Sequence, residues 1–338
     1  MVPSLQSDVR RRAVAPTGNR RSRFAIASRL LPHEWLCGAF LLFLWTRLVV
    51  AEGMLGRNAL WVALLIASNA LVLIFGALRE SEACWRVRLL FYPVAMNLLY
   101  FLLASAIPSV HPELADTRLQ AVDRWLFRGD AVLYLQRWVY PVATELFSLC
   151  YLWYLFYLFS SQIGYLLGDL RNAKAFYTGL FSIYAIGYLG YTTFPALGPY
   201  LAMADQFSVP LTGGWFTDLT SQIVLAGSNR VDVFPSLHVA NSIYILLFDY
   251  HHNPRRFRLC LLPCVGLVTA TVYLRYHYFI DVLCGLALSL FALWLAQRQW
   301  VQQDSPKEVV NNGILIQACA HYRCIERHRP RASDPVRS

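Results

Sequence analysis

The sequence predicts an all-α protein, a polytopic integral membrane bundle of about eight transmembrane helices. Three observations carry that prediction. The 338-residue chain is 57% hydrophobic and 15% charged, outside the range of ordinary soluble domains. Its apolar residues come in blocks about as long as a bilayer is thick. Its arginines gather on alternate connections between those blocks.

In chain order, residues 1–31 form a basic tail. Seven arginines (Arg10, Arg11, Arg12, Arg20, Arg21, Arg23, Arg29) stand against one acid, Asp8. Such a start fits a transit peptide; the simpler reading is a cytoplasmic tail that fixes orientation. Residues 32–119 hold the first transmembrane helices, expected over 35–50, 60–78 and 89–107. Residues 120–297 form a membrane core, with spans expected over 142–167, 175–194, 235–248, 259–275 and 278–295. The first and sixth spans are short for a full crossing. Residues 298–338 form a second cytoplasmic tail.

The connections test the count. Arg79, Arg86 and Arg88 follow the second span, and Arg171 and Lys174 the fourth. Arg255, Arg256 and Arg258 follow the sixth; Arg298, Lys307, Arg323, Arg327 and Arg329 follow the eighth. With the N-terminus inside, all of them face the cytoplasm, as the positive-inside rule requires. Both termini are then cytoplasmic. The net charge of +10 is spread between apolar blocks, so it suits anionic headgroups and a substrate phosphate, and not nucleic acid.

Two outer connections are long. Residues 108–141 contain Asp123-Arg124-Trp125-Leu126-Phe127 and Trp138-Val139-Tyr140, amphipathic enough for a short interfacial helix. Residues 195–233 are rich in Gly, Pro and Thr and read as a substrate cover or a plain connector. Of eight cysteines, Cys37, Cys150, Cys260 and Cys264 lie in apolar runs and behave as small hydrophobes. Cys319, His321, Cys324 and His328 are close in the tail, but their spacing is not that of a usual zinc finger, and an unstructured tail is the simpler reading.

The segment 234–285 organises the chain. Phe234-Pro235-Ser236-Leu237-His238 opens one apolar run, a basic link turns it at 251–258, and the return run ends at Tyr276-His277-Tyr278-Phe279-Ile280-Asp281. Two membrane-length runs joined by a turn make a hairpin. His238 and His277 therefore meet at one membrane surface, on the non-cytoplasmic side.

These residues resemble the type 2 phosphatidic acid phosphatase and haloperoxidase superfamily. Pro235-Ser236-Leu237-His238 is similar to its Pro-Ser-x-His motif, and His277 to Asp281 to its His-x-x-x-Asp motif. The surrounding wording, with Gly190-Tyr191-Thr192-Thr193-Phe194-Pro195 and Gly198-Pro199, resembles most the branch containing inositol phosphorylceramide synthase. The resemblance implies a lipid phosphatase or phosphotransferase without a metal or other cofactor, acting on a phospholipid or lipid-linked phosphate in the bilayer. It implies His277 as nucleophile, Asp281 as its orienter and His238 as general acid and base.

The chemistry suits these residue types. A nucleophilic imidazole divides phosphate-ester cleavage into two easier steps. A carboxylate on its other nitrogen fixes tautomer and orientation, and Asp281 lies one helical turn from His277. Ser236 and the free N–H groups of a helix beginning at Pro235 are expected to cradle phosphate oxygens; a mere capping serine is the plainer alternative. The phosphatase branch's Lys and Arg motif is missing over Phe194–Pro199, and its Ser-Arg is replaced by Ala270-Thr271. Arg275 and Arg230 are the remaining candidate phosphate cations, or else interfacial arginines reaching for headgroups. Fewer cations favour a singly charged phosphodiester. Glu145 is a further substrate-site candidate because an ionisable group is costly near a membrane. Tyr188, Tyr191, Tyr200 and Tyr273 read as an aromatic belt or as a sugar-stacking surface, with Tyr191 the substrate-binding candidate. Asn241 lies one turn below His238, to support the site or to pack between helices.

Overall fold

A computed structural model describes residues 30–79 and 81–303. The expected basic tail over 1–29 and the tail cluster of Cys319, His321, Cys324 and His328 lie outside the described residues. The described residues up to Trp300 form one compact unit, and 301–303 are the described part of a second.

Among the described residues, ten helices of twelve residues or more carry the fold. They are α1 (Pro32–Glu52), α2 (Arg57–Leu78), α3 (Glu82–Val110), α4 (Asp116–Phe127), α5 (Pro141–Leu167), α6 (Leu170–Thr193), α7 (Trp215–Gly227), α8 (Leu237–His252), α9 (Pro254–Tyr273) and α10 (Phe279–Gln302). Six of them, α1, α2, α3, α5, α9 and α10, are long and apolar enough to cross a bilayer. Their outer faces expose large apolar side chains such as Leu64, Leu71, Phe101, Phe156, Leu262 and Leu290, a surface suited to lipid. The other two expected spans, α6 and α8, fall outside that set. Helix α8 has 16 residues, or about 24 Å at 1.5 Å per residue, short of a hydrocarbon core of about 30 Å. Helix α6 contacts α1, α3, α5 and α8. It is covered by protein, so it does not need an apolar surface on every side.

The loop at 195–233 differs from a patternless connector. It contains α7, which leans on α5. Sequence missed α7 because its own N-cap, Gly214, supplies no side chain. The cap comes from Glu145 on α5. Its carboxylate accepts from the N–H groups of Gly214 (2.7 Å), Phe216 (2.8 Å) and Thr217 (3.0 Å) and from the Thr217 hydroxyl (2.8 Å). The expected interfacial helix is present as α4, longer at its N-terminal end and showing Trp125 and Phe127 on its exposed side.

Two buried ion pairs tie the bundle at the end away from His238. Glu34 of α1 pairs with Arg88 of α3, both shielded from solvent, with Arg88 Nε 2.6 Å from Glu34 Oε1. Asp249 of α8 accepts from Arg256 Nε (2.7 Å), Tyr157 Oη (2.8 Å) and Tyr165 Oη (2.6 Å), joining α5, α8 and α9. Removing one partner leaves an uncompensated buried charge. Asp249→Ala is therefore expected to lower stability by about 3–5 kcal/mol, read as a lower unfolding temperature in detergent. A change too small to resolve would show that this junction does not hold the three helices.

Candidate active site

The start of α8 sets His238. The helix begins at Leu237, two residues later than the expected start at Pro235, and Ser236 is its N-cap. The Ser236 hydroxyl accepts from the Val239 N–H at 3.4 Å, and its own N–H donates to the Asp281 carbonyl at 3.1 Å. Ser236 is fully buried in this capping role. Gly285 of α10 allows the close approach: a Cβ there would lie 2.7 Å from the Ser236 carbonyl oxygen. His238 Nε2 is 3.1 Å from the Tyr151 hydroxyl, and its ring lies against those of Tyr151 and Tyr154, with centroids 4.8 and 4.6 Å away. Asn241 Nδ2 donates to the Tyr154 hydroxyl at 3.0 Å, so it supports His238 from behind that ring.

His277 sits in the turn between α9 and α10. The Thr271 carbonyl accepts from the N–H groups of both Tyr276 (3.1 Å) and His277 (3.0 Å). Arg275 takes a left-handed φ of 67°, and its carbonyl accepts from the Tyr200 N–H at 2.8 Å. Gly198, at φ 83°, lies against the Tyr276 carbonyl, where a Cβ would be only 2.6 Å away. Both constraints require glycine.

Helix α4 clamps the same turn. Asp123 accepts from the N–H groups of Phe279 (2.8 Å) and Ile280 (2.9 Å), capping α10 immediately after His277. Asp116 accepts from the Tyr278 hydroxyl (2.9 Å) and from the N–H groups of Leu197 and Gly198, each at 2.9 Å. Sequence alone puts Asp123 in an amphipathic segment and Asp116 in the connection before it, with no role for either. Their partners are 81 to 162 positions away, so no local signal could assign them.

The two histidines converge, with ring centroids 5.8 Å apart. Asp281 Oδ2 lies 3.5 Å from His277 Nδ1 and accepts from the Tyr278 N–H at 2.8 Å. That distance is beyond an ordinary hydrogen bond but within ion-pair reach, and it aligns Asp281 with one edge of the imidazole. Burial pushes the His277 imidazole down to about 4, against the opposing charge of Asp232 and a backbone hydrogen bond at Val233. At neutral pH the ring is uncharged, the form a nucleophile needs.

Both histidines line a cavity of about 230 Å³. Eight tyrosines line it as well, including Tyr188, Tyr191 and Tyr200; Tyr273 lies outside, bonded to Tyr140 and Thr144. The lining contains no Lys or Arg and one carboxylate, Asp232. The expected cations are elsewhere. The Arg275 guanidinium bonds the Val209 carbonyl and lies over the Phe207 ring at 3.9 Å. Arg230 is exposed and not part of the lining. Glu145 is likewise outside the lining, engaged in capping α7. Leu155, Phe159 and Ile223 line the cavity and are also exposed, so it opens sideways on the apolar surface between α5 and α7.

The chain belongs to the PAP2 superfamily, whose family description matches residues 117–295, more than half of the sequence. It is similar to a PA-phosphatase related-family protein of Dictyostelium discoideum, at 31% identity over 127 residues. That match covers 36% of this chain and 23% of the relative, so it spans about a quarter of the relative's length. No solved structure matches the chain. Family and geometry agree on a membrane helical bundle.

Asp123 acts through the turn that carries His277, as a positioning residue. Asp123→Ala is expected to lower kcat for a lipid phosphate by roughly one to two orders of magnitude with KM nearly unchanged. Asp123→Asn keeps one acceptor oxygen but turns an amide NH2 toward the other backbone N–H, so it is expected to recover only part of that loss. Equal losses in both variants, or a change confined to KM, would contradict the assignment.

Proposed function

We propose that this chain is a membrane phosphotransferase in which His277 carries the phosphoryl group of a lipid phosphodiester. The observation behind the reading is the line Asp281–His277–His238 at the edge of a cavity open to lipid. The uncharged His277 imidazole attacks phosphorus, and the bond to the diacylglycerol oxygen breaks as His238, entering the step as imidazolium, delivers a proton to it and releases diacylglycerol. The headgroup phosphate remains on His277 as a phosphodiester. His238 then takes the proton of an acceptor hydroxyl, whose oxygen attacks phosphorus and releases His277. Asp281 holds the ring and balances the charge it gains. No metal takes part in these steps.

A lipid hydroxyl as acceptor makes the enzyme a transferase; the resemblance to the inositol phosphorylceramide synthase branch supports transfer to a sphingolipid acceptor, with inositol phosphate the group that branch transfers and the donor headgroup here left to the charge of the cavity. Water as acceptor makes it a hydrolase of phosphatidate or a polyprenyl diphosphate, the reading favoured by its Dictyostelium relative's name. The cation-free lining supports a singly charged diester over a doubly charged monoester. A catalytically inactive lipid-binding protein is the third reading, opposed by the intact His238, His277 and Asp281. By the arginine distribution, both termini are cytoplasmic and the site opens at the periplasmic or lumenal face.

Incubating the purified full chain with labelled phosphatidylinositol, phosphatidate or polyprenyl diphosphate, with and without ceramide, separates these readings. Label appearing on ceramide supports transfer; water-soluble label, as inositol phosphate from phosphatidylinositol or free phosphate from phosphatidate, supports hydrolysis. Either activity is expected to disappear in His277→Ala. Turnover that survives His277→Ala would sink the mechanism, and no turnover of any lipid would favour the binder.

A further inference from the structure

Resting on the reading of His238 and His277 as a phosphoryl-transfer pair, we propose that their cavity takes a phosphodiester lipid with an ammonium headgroup, held by Asp232 and the tyrosine rings around it. The argument starts from charge. A phosphodiester brings one negative charge to a cavity that already contains a carboxylate and no Lys or Arg. Like charges repel strongly where water is scarce. A zwitterionic headgroup removes the conflict, because the substrate supplies a cation that the lining lacks; the exposed Arg230 acts on Tyr200 from outside that lining. A polyol headgroup adds hydroxyls but no charge, and leaves Asp232 facing the phosphate uncompensated.

Asp232 is fixed in place for such a role. Its carboxylate accepts from the hydroxyls of Tyr100 and Ser228, the latter at 2.8 Å, and its backbone forms a bridge with Ala196. Asn229 Nδ2 donates to the Tyr100 carbonyl at 2.7 Å, tying the same loop to α3. Asp232 is also near enough for its charge to act on His277, so a cation beside it would lie on the same small headgroup as the phosphorus under attack.

The aromatic lining suits the same ligand. The rings of Tyr100 and Tyr188 lie 6.3 Å apart and those of Tyr188 and Tyr191 5.9 Å apart, a continuous run that begins at Asp232's own partner. The hydroxyls of Tyr100, Tyr151 and Tyr188 are engaged by Asp232, His238 and the Met96 carbonyl. Those tyrosines therefore offer ring surface in preference to donors for phosphate. Tyrosine rings beside a carboxylate form a favourable environment for an alkylammonium ion.

The test measures headgroup turnover by the full chain in nanodiscs. The donors are phosphatidylcholine, phosphatidylethanolamine, phosphatidylglycerol and phosphatidylinositol. The amine lipids are expected to exceed the other two at least tenfold in kcat/KM. Asp232→Asn is expected to reduce the ratio of phosphatidylcholine to phosphatidylglycerol turnover at least tenfold. A preference for phosphatidylinositol or phosphatidylglycerol, or a ratio unmoved by the substitution, would overturn the proposal. Equilibrium binding of short-chain phosphatidylcholine to His277→Ala protein keeps the two readings apart. Binding that weakens in the double variant with Asp232→Asn, without turnover by the unmodified chain, upholds the headgroup assignment and sinks the enzyme. Absence of binding sinks the headgroup assignment even if other lipids are turned over.

Discussion

The site depends on two backbone segments being held against each other at one end of the bundle: the start of α8 and the turn before α10. The Ser236 N–H donates to the Asp281 carbonyl, so the segment bearing one histidine is bonded to the helix that begins beside the other. Gly285 permits that contact by leaving no Cβ between the helices. Asp123 and Asp116 complete the junction from α4, satisfying N–H groups that would otherwise be unpaired at the start of α10 and in the 197–198 loop. Carboxylates bonded to backbone N–H groups give strong, directional contacts. The convergence of the imidazoles is thus a consequence of capping, with no direct bond between them required.

Charge is partitioned along the molecule. At the far end, Glu34 with Arg88 and Asp249 with Arg256 neutralise one another inside the bundle. At the site end the carboxylates Asp116, Asp123 and Glu145 are absorbed by backbone N–H groups, and Arg275 by a carbonyl and an aromatic ring. The cavity keeps two imidazoles, one carboxylate and a tyrosine lining. Such a lining is poor in fixed positive charge, and on the proposed reading that makes the substrate's own charge a basis for selection.

The sequence was informative where the signal was local or periodic. Apolar blocks marked the long helices, and the spacing of His277 to Asp281 put that pair one turn apart, as found. Hairpin logic brings His238 to His277 across 39 positions because α8 and α9 are joined by a turn and pack together, although α8 falls short of a bilayer's length. The same logic misjudged what a long-range partner decides. Proximity to His277 suggests Arg275 as a phosphate cation, yet a left-handed turn sends its side chain to Val209 and Phe207. Glu145 stood out as an isolated acid near a membrane, and its role is to cap a helix 69 positions later that sequence did not show. The start of α8 shifted from Pro235 to Leu237 because Ser236 serves as its cap. Asp232 drew no attention because a lone acid before an apolar run is unremarkable without the tyrosines that surround it.

The central claim is that His277 becomes covalently phosphorylated beside His238. The direct measurement is acid-free quenching of the protein during turnover of a lipid labelled at its headgroup phosphorus, followed by peptide mapping under alkaline conditions. The account predicts a base-stable, acid-labile headgroup phosphate on the peptide containing His277, formed more slowly when His238 is replaced by a residue unable to protonate the leaving oxygen. Label on any other residue, or turnover with no covalent phosphate on His277 in either protein, would contradict it.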